Sequence, residues 1–582
     1  MVPVGWGPPG GFAGFGSSAH SLAARRSTLS VFLIGRIFIV ELDRVRGSYR
    51  MIHKLRSYVF PFILLLVISN ALLTYYVSPG FLWGFLICSV LALICVYDLT
   101  QKRHNILRNY PLLGHLRFIL EDFGPELHQY LVESNTDGRP FNRDERSLMY
   151  ERAKDLPAEK PFGTELDVYR EGYSWIAQSL APTKPIEEAA RNMRTVVGEG
   201  RCAKPYSSSV FNISAMSFGA LGARAVRAMN AGAKKGGFAH NTGEGGLSAY
   251  HRAEGGDIIW QIGTGYFGCR SDQGTFDREM FAEQASDEQV KMIEIKLSQG
   301  AKPGHGGVLP GAKVTKEISE ARHVPQGVEC ISPPGHSAFS SPTGLLEFVA
   351  ELRELSGGKP VGFKLCVGDP RQIFALGKAL AETDLLPDFI TVDGGEGGTG
   401  AAPIEFSDHL GVPLREGLVL VQNTLVGVGV RDRLRVAASG KRISGFEITA
   451  AMSMGADWCN SARGFMLSVG CIQAQQCHTN ACPVGVATQD KLLQRALNVS
   501  DKADRVYHFH RNTVEAVAAV TAAAGLEHTS GFTPDHLWTR MAMNDVRPMS
   551  RLYDFYEPGQ LLDGNAGPIM QNFWDSAEAS RW

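Results

Sequence analysis

Lys and Arg number 58 against 59 Asp and Glu, so the chain carries almost no net charge. That argues against a general nucleic-acid binder, which needs a basic face to neutralise phosphates. A cysteine framework is missing too: the ten cysteines fall at uneven spacings across 582 residues. This excludes a disulfide scaffold and fits reduced thiols facing a cytosol. A long helix after a glycine turn is also lacking. Gly395, Gly397 and Gly400 in "GGEGGTG" satisfy G-x-G-x-x-G, but Pro403 and a polar, irregular stretch follow. A dinucleotide turn should open a helix, so these glycines read as a barrel loop lying close to a flat ligand, and no nicotinamide site is evident.

Charge of either sign is absent from Ser57 to Tyr97. The run divides into "YVFPFILLLVISNALLTYYV" and "FLWGFLICSVLALICVY", joined by Ser78-Pro79-Gly80. The first is long enough to cross a bilayer, and the second sits near the lower limit of about 17 residues. The reading is a transmembrane helical hairpin over 57–97, with Tyr75, Tyr76 and Trp83 in an interface belt. Arg50, Lys54 and Arg56 precede it, and Lys102, Arg103 and Arg108 follow. The positive-inside rule then places both ends, and the body after residue 100, in the cytoplasm. A buried hairpin of a soluble core is the alternative. Residues 1–50 read as an uncertain extension, with Met51 resembling a natural start.

Residues 105–200 read as a polar, helical cap region. Beyond them, short apolar runs alternate with helical stretches: "VFNISAMSFG", "DIIWQIGTG", "MIEIKLSQG", "PVGFKLCVG", "PDFITVDGG" and "DWCNSARGF". Repeated β-then-α units with polar residues at strand ends predict a (β/α)8 TIM barrel over about 205–500. A doubly wound sheet is the alternative. Residues 501–582 read as mostly helical, with no β-solenoid repeat.

What is plentiful is glycine, at 64 residues, clustered mainly between Gly236 and Gly470. Lys296 lies on a strand and Lys302 on the glycine-rich loop after it, with Arg322 further on. Such cations at a strand end suit a carboxylate or phosphate; a solvated basic loop would not need so many glycines and prolines. Glu244 sits in "NTGEGG", where an exposed turn carboxylate is the plainer reading. Lys364 in "GFKLCVG" is a charge inside an apolar strand, which must face a polar barrel mouth or find a partner. Finally, "GCIQAQQCHTNACPVGVATQ" (470–489) brings Cys471, Cys477 and Cys482 within twelve positions. Two cysteines would suggest a redox pair and four a closed zinc site; three ask for something else.

Taken together, "SAMSFGALG", "NTGEGG", the 294–314 loop, "DGGEGGTGAAP" and the cysteine segment resemble, in order, the FMN-binding synthase domain of the glutamate synthases. The resemblance implies a [3Fe–4S] cluster on Cys471, Cys477 and Cys482, with zinc completed by His478 as the alternative. It implies FMN at the barrel mouth, touched by Met216 and Ser217, with Gln261 and Lys364 on its ring and Gly394, Gly395 and Gly464 making room. It implies reductive amination of 2-oxoglutarate with ammonia to L-glutamate. Lys296, Lys302 and Arg322 would hold substrate carboxylates, while Glu244 and Lys302 would serve catalysis.

The family pattern "GAKPGEGGQLPGSK" departs here at His305, Val308 and Ala312, which stand where it has Glu, Gln and Ser. The loss of polar contacts opens a different 2-oxo acid or amine as substrate. Residue 2 is Val, so a glutaminase nucleophile is not expected there, and ammonia would come from outside the chain. With no pyridine-nucleotide module, electrons would come from ferredoxin, another donor protein or a membrane carrier. A membrane-tethered electron-relay subunit is the reading from another class.

Overall fold

The computed structural model describes residues 58–582, so the 1–50 extension and the basic residues before the hairpin lie outside the described residues. The chain divides into two compact units, residues 1–132 and 133–582. The boundary cuts through the expected cap region.

In the first unit, helices Tyr58–Tyr76 and Pro79–Thr100 are long and apolar enough to cross a membrane. Their large side chains are mostly exposed, as at Leu65, Leu72, Ile87 and Leu93, unlike the buried hairpin of a soluble core. The polar residues within them turn back on their own helix. Asn70 Nδ2 donates to the Leu66 carbonyl, Thr74 Oγ1 to that of Asn70, and Ser89 Oγ to that of Phe85. Side chains satisfied in this way tolerate a medium without water.

In the second unit, eight parallel strands close into a barrel. They are β1 (Phe211–Ile213), β2 (His240–Asn241), β3 (Ile258–Ile262), β4 (Val290–Lys296), β5 (Val361–Leu365), β6 (Phe389–Asp393), β7 (Arg435–Ser439) and β8 (Trp458–Ser461). Each pairs with the next, and β8 returns to β1 through Cys459–Phe211 and Ser461–Ile213. The near-continuous burial of these strands is what a parallel barrel covered by helices requires. Ile259, Met292, Phe389, Ala437 and Trp458 fill the barrel's lower interior together with Val197 and Tyr206. The last two come from an antiparallel hairpin, Arg194–Val197 with Tyr206–Ser209.

The flanking regions are less helical than the sequence suggests. Between 105 and 200 the longer helices are Leu113–Leu127 and Arg143–Ala153, and the stretch after Asp155 is mostly irregular, broken by Pro157, Pro161, Pro182 and Pro185. Proline removes a helical donor and clashes with the preceding turn. Past the long helix Val499–Ala523, strand Leu537–Ala542 pairs with both Ser174–Ile176 and Asp545–Pro548. Residues 501–582 are therefore mixed; Trp538 stacks on Trp175 across the strands, a cross-strand pairing that helical periodicity does not reveal.

Candidate functional site

The barrel's polar interior begins directly above its apolar layer. Glu294, on β4, is buried and accepts three hydrogen bonds: from Asn241 Nδ2 at 2.7 Å, Gln261 Nε2 at 2.6 Å and Thr391 Oγ1 at 2.7 Å. These come from β2, β3 and β6, so one carboxylate ties four strands together. Gln261, expected on a cofactor ring, has its amide donor committed here.

One layer higher, Lys364 Nζ lies 3.1 Å from Asp393 Oδ2, which also accepts from the Gly300 backbone at 2.9 Å. Burial works to lower the Lys364 ammonium, but Asp393, Glu294 and Glu244 outweigh it and hold the group above its usual value. The lysine inside an apolar strand thus has its partner. Gly300 has no room for a side chain: a Cβ there would stand 1.7 Å from the Gly394 carbonyl oxygen. The loops after β4 and β6 meet backbone to backbone.

Glu244 forms a second cluster. Its Oε1 lies 2.8 Å from Lys296 Nζ, with the two side chains 17% and 8% exposed. Glycines surround it: a Cβ at Gly307 would fall 2.3 Å from Glu244 Oε1, and one at Gly263 would fall 2.7 Å from its Cβ. Gly243, at φ +65°, has no room for a side chain either: a Cβ there would fall 2.7 Å from the Ser217 nitrogen, against the Met216–Ser217 backbone. Burial pushes Glu244 up, but Lys296, Lys302 and Arg322 prevail and keep it below its usual value. It is an ionised carboxylate, not an exposed turn residue. The buried Lys302 has no hydrogen-bond or ion-pair partner for its ammonium among the described residues, and burial and then Lys296 push it down. Arg322 lies over the Phe267 ring at 5.0 Å, donates to the Phe218 carbonyl at 3.2 Å, and leaves its buried Nε unpaired. His336, joined to the Lys296 carbonyl at 2.9 Å, is lowered to about 4 chiefly by burial and is neutral.

A cavity of about 1320 Å³ opens beside these clusters. Its walls include Gly395–Gly400 from the loop after β6, Lys441 after β7, Arg463 after β8, and Cys471, Cys477 and Cys482. Ala301, His305 and Val308 face it from the loop that carries Lys302, whereas Glu244, Lys296, Lys302 and Arg322 do not line it. Ala312 is exposed and does not line it either. Gly394 and Gly464 are explained by packing: a Cβ on the first would meet Glu396 and Leu414, and on the second Ser461 and Phe509.

All three cysteines of the 470–489 segment are free thiols. Burial pushes Cys471 up to about 12 and Cys477 up as well. Among the described residues no three His, Cys, Asp or Glu side chains converge on one metal ion. The segment is nevertheless firmly held. Tyr150 Oη donates to the Cys471 carbonyl at 2.7 Å, and Gln473 exchanges hydrogen bonds with the Phe141 backbone. Lys313 Nζ donates to the Cys477 and Ala487 carbonyls at 2.8 and 3.0 Å. Asp393, Glu294, Lys313, Lys441 and Arg463 were not singled out from sequence. Asp393, Glu294, Lys313 and Arg463 lie within the quoted runs, beside the glycines and lysines that mark them, and only Lys441 stands outside.

A profile described as "Conserved region in glutamate synthase" matches residues 165–527. The chain is 40% identical over 484 residues to "Glutamate synthase large subunit-like protein YerD" of Bacillus subtilis, covering 77% of this chain and 92% of that protein. It is 34% identical over 317 residues to "Archaeal glutamate synthase [NADPH]" of Methanocaldococcus jannaschii, covering 54% of this chain and 58% of that one. Among solved structures, a mandelate oxidase mutant with (S)-mandelic acid aligns over 75% of this chain and 98% of its own, at 14% identity and a TM-score of 0.38. That likeness is too slight to add to the barrel described above.

Proposed function

This chain belongs to the glutamate synthase family and is an oxidoreductase, and from that premise we propose that it catalyses reductive amination of a 2-oxo acid, with 2-oxoglutarate and ammonia giving L-glutamate. The observation that carries the reading is the buried Glu244–Lys296 pair, with the unpartnered ammonium of Lys302 and the unpaired Nε of Arg322 beside it. Lys302 and Arg322 supply the cations for a substrate carboxylate. Lys296 holds the Glu244 carboxylate ionised and in place, so that it can accept a proton from the incoming ammonium.

The residues present fit the groups that such chemistry uses. The large cavity places Lys441 and Arg463, from the loops after β7 and β8, beside the Gly395–Gly400 backbone. Loops after the seventh and eighth strands are where barrels of this kind bind phosphate, which suits FMN. Three thiols on one cavity that do not converge on a single point suit a cluster of several irons better than one zinc ion. Burial keeps Cys471 and Cys477 protonated unless a cation takes the sulfur. When bound, FMN would supply hydride transfer and a [3Fe–4S] cluster one-electron delivery. The two apolar helices would anchor the protein in a membrane, with its body in the cytoplasm and electrons arriving from ferredoxin, another donor protein or a membrane carrier.

A second reading is favoured by Val308, which faces the cavity where the family pattern has Gln: the same chemistry on a less polar 2-oxo acid. Both are tested anaerobically. The purified protein, loaded with flavin and iron, is reduced with dithionite and mixed with 2-oxoglutarate and ammonium. Rapid flavin reoxidation with glutamate formed supports the first reading. Flavin that stays reduced until a more apolar 2-oxo acid is supplied supports the second, and no reoxidation by any 2-oxo acid overturns both.

A further inference from the structure

Helix Leu113–Leu127 carries an apolar stripe that its own unit leaves bare. Leu113, Leu116, Leu120, Phe123 and Leu127 recur at spacings of three and four, with Ile119 beside them, and all are exposed, Phe123 by 61%. Residues at those spacings share one helix face. The stripe continues past the helix into exposed Tyr130, Leu131 and Val132.

The opposite face is tied to the end of the second apolar helix. Asp98, fully buried two residues before that helix ends, accepts from the Leu112 backbone at 3.0 Å and pairs with His115 Nε2 at 2.9 Å. A Cβ on Gly114 would lie 2.9 Å from Leu107 Cδ2, so glycine permits close packing on the intervening turn. Phe118 meets the His104 ring edge at 5.5 Å. The tether fixes the helix to the mouth of the hairpin with its stripe facing away from these contacts.

We propose that Leu113–Leu127 lies in the headgroup region of the bilayer crossed by the hairpin, its stripe sunk in the acyl boundary; this rests on the membrane-spanning reading of Tyr58–Thr100. The occupant follows from continuity. Only residues 101–112 separate the span from the helix, and the Asp98 tether keeps the two together, so the stripe begins where the hydrocarbon ends. Exposed Lys102, Arg103 and Arg108 occupy that junction, where cations meet lipid phosphates. A helix with one apolar face settles roughly 5–10 Å into such a boundary. The same spacing would suit a second copy of the helix, and the test separates the two.

The full chain is reconstituted in phosphatidylcholine–phosphatidylglycerol vesicles with or without bromine high on the acyl chains. Comparing wild type with Trp83→Phe isolates the hairpin's Trp83 emission. Adding Phe123→Trp in the Trp83→Phe background isolates the helix, at an exposed position where an aromatic replaces an aromatic. Bromine-dependent loss of both signals supports the proposal. If Trp83 emission is lost and that of position 123 survives bromine but not aqueous iodide, the helix inference fails and the hairpin stands. If position 123 escapes both quenchers, a second copy or the protein itself covers the stripe, and the inference fails. If Trp83 escapes bromine, the membrane reading fails and this inference falls with it.

Discussion

Replacing Glu294 tests whether the barrel's centre is held by a network of hydrogen bonds or only by apolar packing below it. In Glu294→Gln, the amide oxygen can take the place of Oε2 and still accept from Asn241 and Gln261, which bond there at 2.7 and 2.6 Å. The new amide donor then faces Thr391 Oγ1, a hydroxyl that can turn to accept. The loss is the charge assistance of those bonds, about 1 kcal/mol each and roughly 2 kcal/mol together. Glu294→Ala instead leaves two buried amides without an acceptor, at about 1–3 kcal/mol each, and opens a void beside them. Alanine should therefore be less stable than glutamine by about 2–4 kcal/mol. The check is thermal unfolding of the full chain in detergent by far-UV circular dichroism, alanine melting several degrees below glutamine. Equal melting of the two variants would refute the reasoning, because it would mean that Asn241 and Gln261 find other acceptors at no cost.

Lys302, lowered by burial and by Lys296, should lose its proton at a lower pH than an ordinary lysine as pH rises. Binding of an anionic 2-oxo acid should weaken along that alkaline limb, and Lys302→Arg, always charged, should remove the limb in a pH series of substrate Kd. Buried His240 and His510 are both lowered from 6.5 to about 3, by burial first. Between those values only the unfolded chain binds these protons, so melting temperature should fall as pH drops below about 6.5 and level off near 3. Gly300→Ala has no space against the Gly394 carbonyl; it should separate the loops after β4 and β6 and lower flavin content on purification, read by absorbance. Cys477→Ser should lower iron content by colorimetric assay while leaving the barrel's circular dichroism unchanged.

Six of the eight barrel strands coincide with runs that the sequence shows plainly, β4 starting two residues earlier at Val290, because β-branched and apolar residues end there in glycine or charge. The other two escape for physical reasons. β2 is two residues long, His240–Asn241, too short for any periodicity. β7, "RVAAS", is rich in alanine and serine, which have little strand preference, and its pairing with β6 and β8 decides its state. The candidate site was legible as a set of charges on glycine loops. The pairing among them was not: that Lys296 is engaged by Glu244 while Lys302 stays unpaired depends on Gly263 and Gly307 closing around the carboxylate, a through-space fact. Lys441 and Arg463 were hidden for the same reason: Lys441 stands in no motif, Arg463 closes a strand-like run beside Gly464, and only barrel closure brings the two to one cavity.

That closure has a bearing on how the protein is made. The open edge of β1 is covered only when β8 has been synthesised, and Ser174–Ile176 waits for its own partner strand, Leu537–Ala542. At ribosomal speeds the roughly 250 residues between β1 and β8 take roughly 10–50 s to appear. The apolar helices Tyr58–Tyr76 and Pro79–Thr100 precede all of this, so they leave the ribosome long before the barrel can shut. Through that interval a half-built sheet with a bare edge is exposed to self-association, and early capture of the N-terminal helices by a membrane would keep nascent copies apart until their last strand arrives.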